Sequence, residues 1–583
     1  MMWPVKRFVF LALVAVAPLT AHAGGLEFPG NGTEALGRGT AFTAKADDGT
    51  ALDYNVAGLA RQRGTRVLID VNLVFSSYEF QRAGTYPDDP SNPATPWGGQ
   101  AFPKVRDTSG VFAAPFFALS TDFGTLDRWT FAVGLYGPSS VGTRTYPLGV
   151  NGFPSPARYD LVQAQPLVIY PTLAVAVRIA RWLDLGLALH VPLGQFDLTS
   201  VSFTDLGAGV CKNAEYQPCD SVNRINTFGA TAAVSLGLLI RPAKWIALGI
   251  NARSPFTINS SGTVHATPPA ALAAPIKDEP AQFSTSFPLV LRFGLRFIVM
   301  KGAFEAGDIE ADATWENWAQ AQGVGPQVTI PELSIFTDIH PTVVHHYKDT
   351  FSLRLGGAIN VRLGRAGVLS FRAGAFYDSS ATDNASTRLD FDTLDKIGVT
   401  GGLSYKVRGF GIHVGYAYQF EAQRVVTDGD LRPINGAKNG TSVGADGNLL
   451  PVVNNGVYNA STQILSIGVS FAFDELVRSR RVVHYHADYE DDFEVPRSTA
   501  LNWHPSEAAD ARLAAAPAPA AEVTAADEEP AGTQAQAGDP DGFEVDVVAH
   551  KPINKEAHRS RDGTPPSAKG RIHKRARRRR GRR

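Results

Sequence analysis

Between Phe410 and Phe420 every second residue is large and apolar. Phe410, Ile412, Val414, Tyr416, Tyr418 and Phe420 share one face, and Gly411, His413, Gly415, Ala417 and Gln419 share the other. Successive side chains of a strand point to opposite sides of the sheet. The alternation recurs at 183–193, 289–297, 351–361, 397–407 and 465–473. Each segment thus carries one face greasy enough for lipid and one that is small, polar or charged. This pattern predicts an all-β fold of one kind, a transmembrane antiparallel β-barrel.

Composition fits that reading. The 583 residues exceed what one ordinary soluble core holds. A formal charge of -1 gives no sign of a nucleic-acid partner. Mean hydropathy near zero argues against a helical membrane protein. No apolar run of about 18 residues follows the N-terminus, as a spanning helix would require. Glycine (56 residues), Phe (33) and Tyr (16) suit tightly packed strands with rings at the membrane interface. Residues 1–23 read as a secretory signal: Lys6 and Arg7, then the apolar 8–19, then Ala21-His22-Ala23. Export followed by barrel strands implies the bacterial outer membrane. Cys211 and Cys219 lie close together in an exported chain and read as a loop-closing disulfide. A metal pair is the rival reading, but no further cysteine pair accompanies them.

Candidate strands fall at 66–81, 109–121, 129–137, 165–180, 182–198, 224–240, 245–264, 287–298, 302–318, 347–362, 367–378, 395–407, 410–425 and 462–473. That makes about 14, an even number that keeps both termini in the periplasm. Tight connections at 180–181, 241–244 and 408–409 alternate with long ones at 81–108, 199–223, 319–346 and 423–461. Short periplasmic turns and long external loops are the barrel asymmetry. The organisation is therefore a signal at 1–23, a glycine-rich polar segment with no clean period at 24–63, a barrel at 64–473 and a periplasmic tail at 474–583. The tail is rich in Ala, Pro and Glu and ends in a run of arginines. Such composition buries too little surface to fold. Its basic end is either a solvated charge run or a contact for an anionic partner such as peptidoglycan or lipid headgroups.

Several segments resemble the FadL/TodX outer-membrane transporters in shared order. Leu36-Gly37-Arg38-Gly39-Thr40-Ala41-Phe42, Ala46-Asp47-Asp48 and Asn55-Val56-Ala57-Gly58-Leu59 resemble that family's N-terminal hatch. Asp312 to Trp318, Tyr347-Lys348-Asp349-Thr350 with Leu353 to Gly357, Phe371 to Asp378 and Gly415-Tyr416-Ala417-Tyr418 resemble its later strands. The likeness covers roughly 24–473. It implies a monomeric 14-stranded barrel whose lumen is plugged by an N-terminal hatch at 24–63. It also implies passive transport of long-chain fatty acids or other hydrophobic molecules by pocket binding, hatch movement and lateral release. Gly37, Arg38, Gly39 and Asn55 are the hatch residues it singles out. Two departures stand out: Val56 replaces the hatch proline, and the long tail lies outside the family pattern.

With the apolar faces outward, Arg292, Arg296, Arg354, Arg362, Arg372, Lys396, Lys406 and His413 face inward. Arg292, Arg296, Arg354 and Arg372 are candidate holders of an anionic headgroup, since a guanidinium forks onto a carboxylate. The alternative is that they pair with inward acids such as Glu305 or Asp395. Arg38 either reports ligand occupancy or braces the plug. The His345-His346 pair has no spaced third ligand, so neither a metal nor another cofactor is expected. No G-x-S-x-G or H-E-x-x-H is present, and the chain is not expected to be an enzyme. A lipid hydrolase using His413 with a nearby serine stays as an alternative. So does a structural or adhesive barrel gripping the cell wall through its tail.

Overall fold

The computed structural model describes residues 30–88, 96–138, 142–205, 211, 213–270, 278–321, 327–333, 336–339, 346–390, 394–438, 440–444 and 446–478. The expected signal segment at 1–23, His345 and the tail from residue 479 lie outside them. Fourteen strands close into one antiparallel barrel. They are β1 (Thr65–Arg82), β2 (Phe112–Thr121), β3 (Trp129–Tyr136), β4 (Gln163–Ala180), β5 (Leu183–His190 and Leu193–Phe203), β6 (Asp220–Ala230 and Ala233–Ala243) and β7 (Ile246–Arg253 and Phe256–Thr267). Then follow β8 (Glu279–Phe287 and Val290–Lys301), β9 (Phe304–Glu316), β10 (Thr350–Arg362), β11 (Val368–Asp378), β12 (Lys396–Val407), β13 (Phe410–Glu421) and β14 (Gly456–Ala472). The ring closes where β14 pairs with β1, from Arg66 opposite Ala472 to Arg82 opposite Gly456. Closure matters because an open edge would leave backbone groups unpaired in lipid.

The alternation sorts residues as the sequence requires. Phe351, Leu353, Leu355 and Ile359 of β10 are half or more exposed on the outer surface, the last by 65%. A band of exposed apolar side chains this continuous suits lipid and not water. Turns at one end are tight: Arg408 and Gly409 both take positive φ (51° and 78°), as a two-residue type I′ hairpin turn demands. By the barrel asymmetry this end faces the periplasm.

The structure departs from simple alternation at three places. Leu68 and Val74 are apolar yet point inward, where both are buried, Leu68 beneath Gly49 of the hatch. Strands β5 to β8 each bend partway, at residues 191–192, 231–232, 254–255 and 288–289. Prolines 192, 255 and 288 cause three of these bends, because each lacks the N–H the ladder needs. The upper half of β8 therefore starts at Glu279, and the sequence pattern saw only the half beyond Pro288. Finally, β14 begins at Gly456 rather than Thr462, and Phe473 opens a helical turn, Phe473–Arg478, instead of ending the strand.

Candidate functional site

Residues 30–64 fold inside the barrel, with short helical turns at Thr33–Leu36, Ala51–Tyr54 and Val56–Arg61. Nearly all of their side chains are buried. This plug is held in two different ways along its length.

Its first part, Thr33 to Lys45, is held by charge. Strand β9 turns Asp308, Glu310 and Asp312 inward at a spacing of two. Arg38, fully buried, donates from Nη2 to Asp308 Oδ2 at 2.5 Å and to Glu310 Oε2 at 3.2 Å. Its Nε donates to the Ala41 carbonyl at 2.8 Å. Asp312 Oδ2 accepts from the backbone N–H of Phe42 and of Thr43, each at 2.9 Å, and Glu310 Oε1 accepts from Ala44 at 2.6 Å. Glu34 meets Arg372, and also Lys406 at 2.8 Å and His413 Nδ1 at 3.0 Å. Close approach of backbones makes this possible. A Cβ on Gly374 would stand 2.2 Å from the Arg38 carbonyl carbon, and one on Gly37 would stand 2.9 Å from the Gly402 Cα. Gly39 itself has φ +66°, a conformation that favours glycine.

The second part, Ala46 to Ala60, is packed mainly by small apolar groups, with Asp53 paired to Arg292 of β8. Leu52, Val56, Leu59 and Ala60 lie in one buried cluster with Leu68, Phe116, Ala118, Ala132, Tyr136, Ala174 and Ala188 of β1 to β5. Asn55 joins the two parts: its Nδ2 donates to the carbonyls of Thr43 (2.9 Å) and Leu238 (3.1 Å), and its Oδ1 accepts from Ala57 N–H (3.2 Å). Val56, where the family pattern has proline, donates its N–H to Asn251 Oδ1 at 3.4 Å, a bond proline lacks.

The four lumen arginines do not converge on one point. Arg292 meets Asp53 of the hatch at 3.2 Å, and Arg372 meets Glu34. Arg296 meets Glu305 at 2.5 Å and Asp308 at 2.8 Å, and Arg354 meets Asp378 at 2.6 Å. Each therefore already faces a carboxylate. Lys396 is buried and Arg362 exposed. Cys211 and Cys219 form a disulfide in the external loops. Those loops pack into a cap in which Arg158 bridges Glu215 and Asp220, each at 2.8 Å, and Arg82 adds a second contact to Glu215 at 2.6 Å.

His413 does meet serines: Nδ1 lies 2.8 Å from Ser404 Oγ and Nε2 lies 2.9 Å from Ser470 Oγ. Ser470 sits two residues before the end of β14 with its backbone paired on both sides, opposite Leu68 and Gly411. The ladder leaves no pair of N–H groups beside it for an oxyanion, which acyl transfer needs. The cluster works as a latch for Glu34.

What the sequence reading missed is an apolar interior above the hatch, beside a break in the wall. Strand β3 is only 8 residues long, while its partner β4 has 18. Pairing of β3 with β4 stops at Tyr136 opposite Tyr170. Beyond it, among the described residues, only Arg144 and Thr145 meet β4 again, at Ala164 and Gln163. On the other side β2 pairs with β3 only from Phe116 onward. Behind this gap aromatic rings line the lumen. Phe116 stacks on Tyr136 (4.9 Å between centroids), Tyr170 meets Phe256 edge-on (5.9 Å), Phe256 stacks on Phe287 (4.7 Å) and Phe196 meets Phe283 (4.8 Å). Two sequence signals point here: doubled apolar residues such as Phe116-Phe117 and Val168-Ile169-Tyr170, greasy on both faces, and Pro115, Pro138 and Pro166 at the gap's edges. The hatch reaches the gap as well: Asn31 Nδ2 donates to the Gly137 carbonyl and to Asp53 Oδ2, both at 3.0 Å.

Residues 14–473 match the family model described as outer membrane protein transport protein (OMPP1/FadL/TodX). Among solved structures, a Pseudomonas aeruginosa FadL homologue superposes with a TM-score of 0.61 at 16% identity, over 77% of this chain and 100% of its own. The P. putida toluene transporter TodX gives 0.54 at 14% identity, over 79% and 100%. The Ralstonia pickettii toluene transporter TbuX gives 0.51 at 13% identity, over 76% and 98%. At such identities the likeness is one of fold. No curated protein sequence matches the chain.

Proposed function

Because this chain belongs to the OMPP1/FadL/TodX family of outer-membrane transport proteins, we propose that it passes uncharged hydrophobic molecules into the membrane sideways, through the gap beside β3. The family consists of outer-membrane channels for hydrophobic compounds and not of enzymes. One closed barrel holds the plug, the apolar lumen and the gap, so a single chain suffices.

The observation that carries this reading is the break above Tyr136, backed by Tyr170, Phe196, Phe256 and Phe283. A hydrophobic molecule gains by leaving water for an apolar lining, at roughly 25 cal/mol per Å² of surface buried. The hatch blocks the axial path below, and the gap opens toward acyl chains. A fatty-acid carboxylate would have to displace Asp53 from Arg292 or Glu34 from Arg372, so the lumen's own charges favour uncharged cargo. The toluene transporters among the solved relatives agree with that preference. Hatch movement reaches the gap through Asn31, which ties Asp53 to the Gly137 carbonyl.

The test narrows the gap. A Cβ on Gly137 would stand 3.0 Å from the Val168 carbonyl oxygen. Gly137→Val is expected to cut uptake of radiolabelled toluene by outer-membrane vesicles at least fivefold. Folding, read as the heat-dependent gel shift of a barrel, is expected to persist. Uptake at the unmodified rate in a folded variant refutes lateral release.

A further inference from the structure

Below the hatch the barrel opens on the periplasmic side as a cavity of about 420 Å³. Nine basic side chains line it against five acidic ones. Lys244 and Arg408 are exposed at its rim, and Lys406 has a side chain 42% exposed. Arg372 lines it too, nine-tenths buried, with its Nε lacking any hydrogen-bond partner. Arg296, Arg372 and Lys406 face carboxylates inside the barrel, whereas Lys244 and Arg408 at the rim have no part in the transport reading, because cargo leaves above the hatch.

The chain itself carries a matching anion nearby. Immediately beyond the barrel come Asp488, Glu490, Asp491, Asp492 and Glu494, interleaved with Tyr489 and Phe493. The chain leaving β14 already turns toward the mouth: Ala472 and Glu475 are part of its lining, and Glu475 meets Arg66 at 3.6 Å. Nine residues separate Arg478 from Asp488, and extended chain covers about 3.3–3.6 Å per residue, so the acids reach the whole cavity. The arginine-rich terminus has the wrong sign for the same site, and its like charge keeps it away.

We propose that the acidic segment 488–494 docks on the basic periplasmic mouth of its own barrel. Charge complementarity steers it and fixes which stretch of tail binds. Docking is independent of the transport reading, because it concerns the opposite face of the hatch.

The test is carbodiimide coupling on the dilute full-length chain in detergent, with linked peptides read by mass spectrometry. Amide links from Lys244 and Lys406 to carboxylates within 488–494 are expected in low salt. Rim contacts between charges are screened over about 3 Å at 1 M salt, so the yield falls at least fivefold there. Arg408→Glu, at an exposed turn, is expected to lower the Lys244 yield by a similar factor. Links that go instead to Asp527, Glu528 and Glu529, or no links to the tail, overturn the proposal. So does a yield unaffected by both salt and Arg408→Glu.

Discussion

The two parts of the hatch meet two different walls. Thr33 to Lys45 lies mainly against β9 to β14, where Asp308, Glu310, Asp312, Arg372 and Lys406 grip it, with Thr33 also bonded to Asp70 of β1. Ala46 to Ala60 lies mainly against β1 to β6, where alanines, Leu68, Phe116 and Tyr136 receive it, and its Asp53 is held by arginines, Arg292 of β8 and Arg253 of β7. Buried ion pairs are demanding, since losing one partner strands the other charge. Apolar contacts are non-directional and yield by degrees. The charged half therefore anchors, and the apolar half lies beside the short strand and the gap. A plug that anchors on one side can loosen on the other without leaving the barrel.

The sharpest way to break this contrast is Arg38→Ala. It takes from buried Glu310 its paired cation and leaves Asp308 to Arg296, a change on the order of 3–5 kcal/mol. The hatch is expected to lose hydrogen-exchange protection from Leu36 to Ala44 and the barrel to conduct ions in planar bilayers. A closed, fully protected plug would show that charge does not anchor it. Leu52→Ala probes the other wall. A buried leucine truncated to alanine costs about 2–5 kcal/mol. Protection is expected to fall across Ala51 to Arg61 while Leu36 to Ala44 keeps its own; equal loss in both parts would erase the distinction. Asn31→Ala has the smallest effect, about 0.5–1.5 kcal/mol for a hydrogen bond. It is expected to leave melting nearly unchanged and to alter hydrocarbon uptake, because it cuts the tie between Asp53 and Gly137. An unchanged uptake rate would uncouple hatch from gap.

Much of this was legible before any coordinates. Alternation located nearly every strand, since a lipid-facing side chain at every second position is a constraint set by the membrane itself. The resemblance singled out Gly37, Arg38, Gly39 and Asn55, and all four are buried in the segment packed inside the barrel. Other features were hidden for definite reasons. The β9 acids read as ordinary inward polar residues, because nothing in sequence says that Arg38, 270 residues earlier, sits opposite Asp308. The inward rings at Phe196, Phe256 and Phe283 break the rule that the lumen face is small or polar, so alternation alone undervalued them. The gap depends on β3 ending early, and a strand's stopping point is set by its partners as much as by its own residues. Only the prolines on either side of it carried a local sign.

The central claim is that cargo resides above the hatch and leaves through the wall. Its most direct test is a crystal of the protein grown with a brominated aromatic hydrocarbon, with bromine located by anomalous scattering. The account predicts bromine among Tyr136, Tyr170 and Phe256, facing the gap beyond Gly137. Bromine confined to the periplasmic cavity beneath the hatch would contradict it.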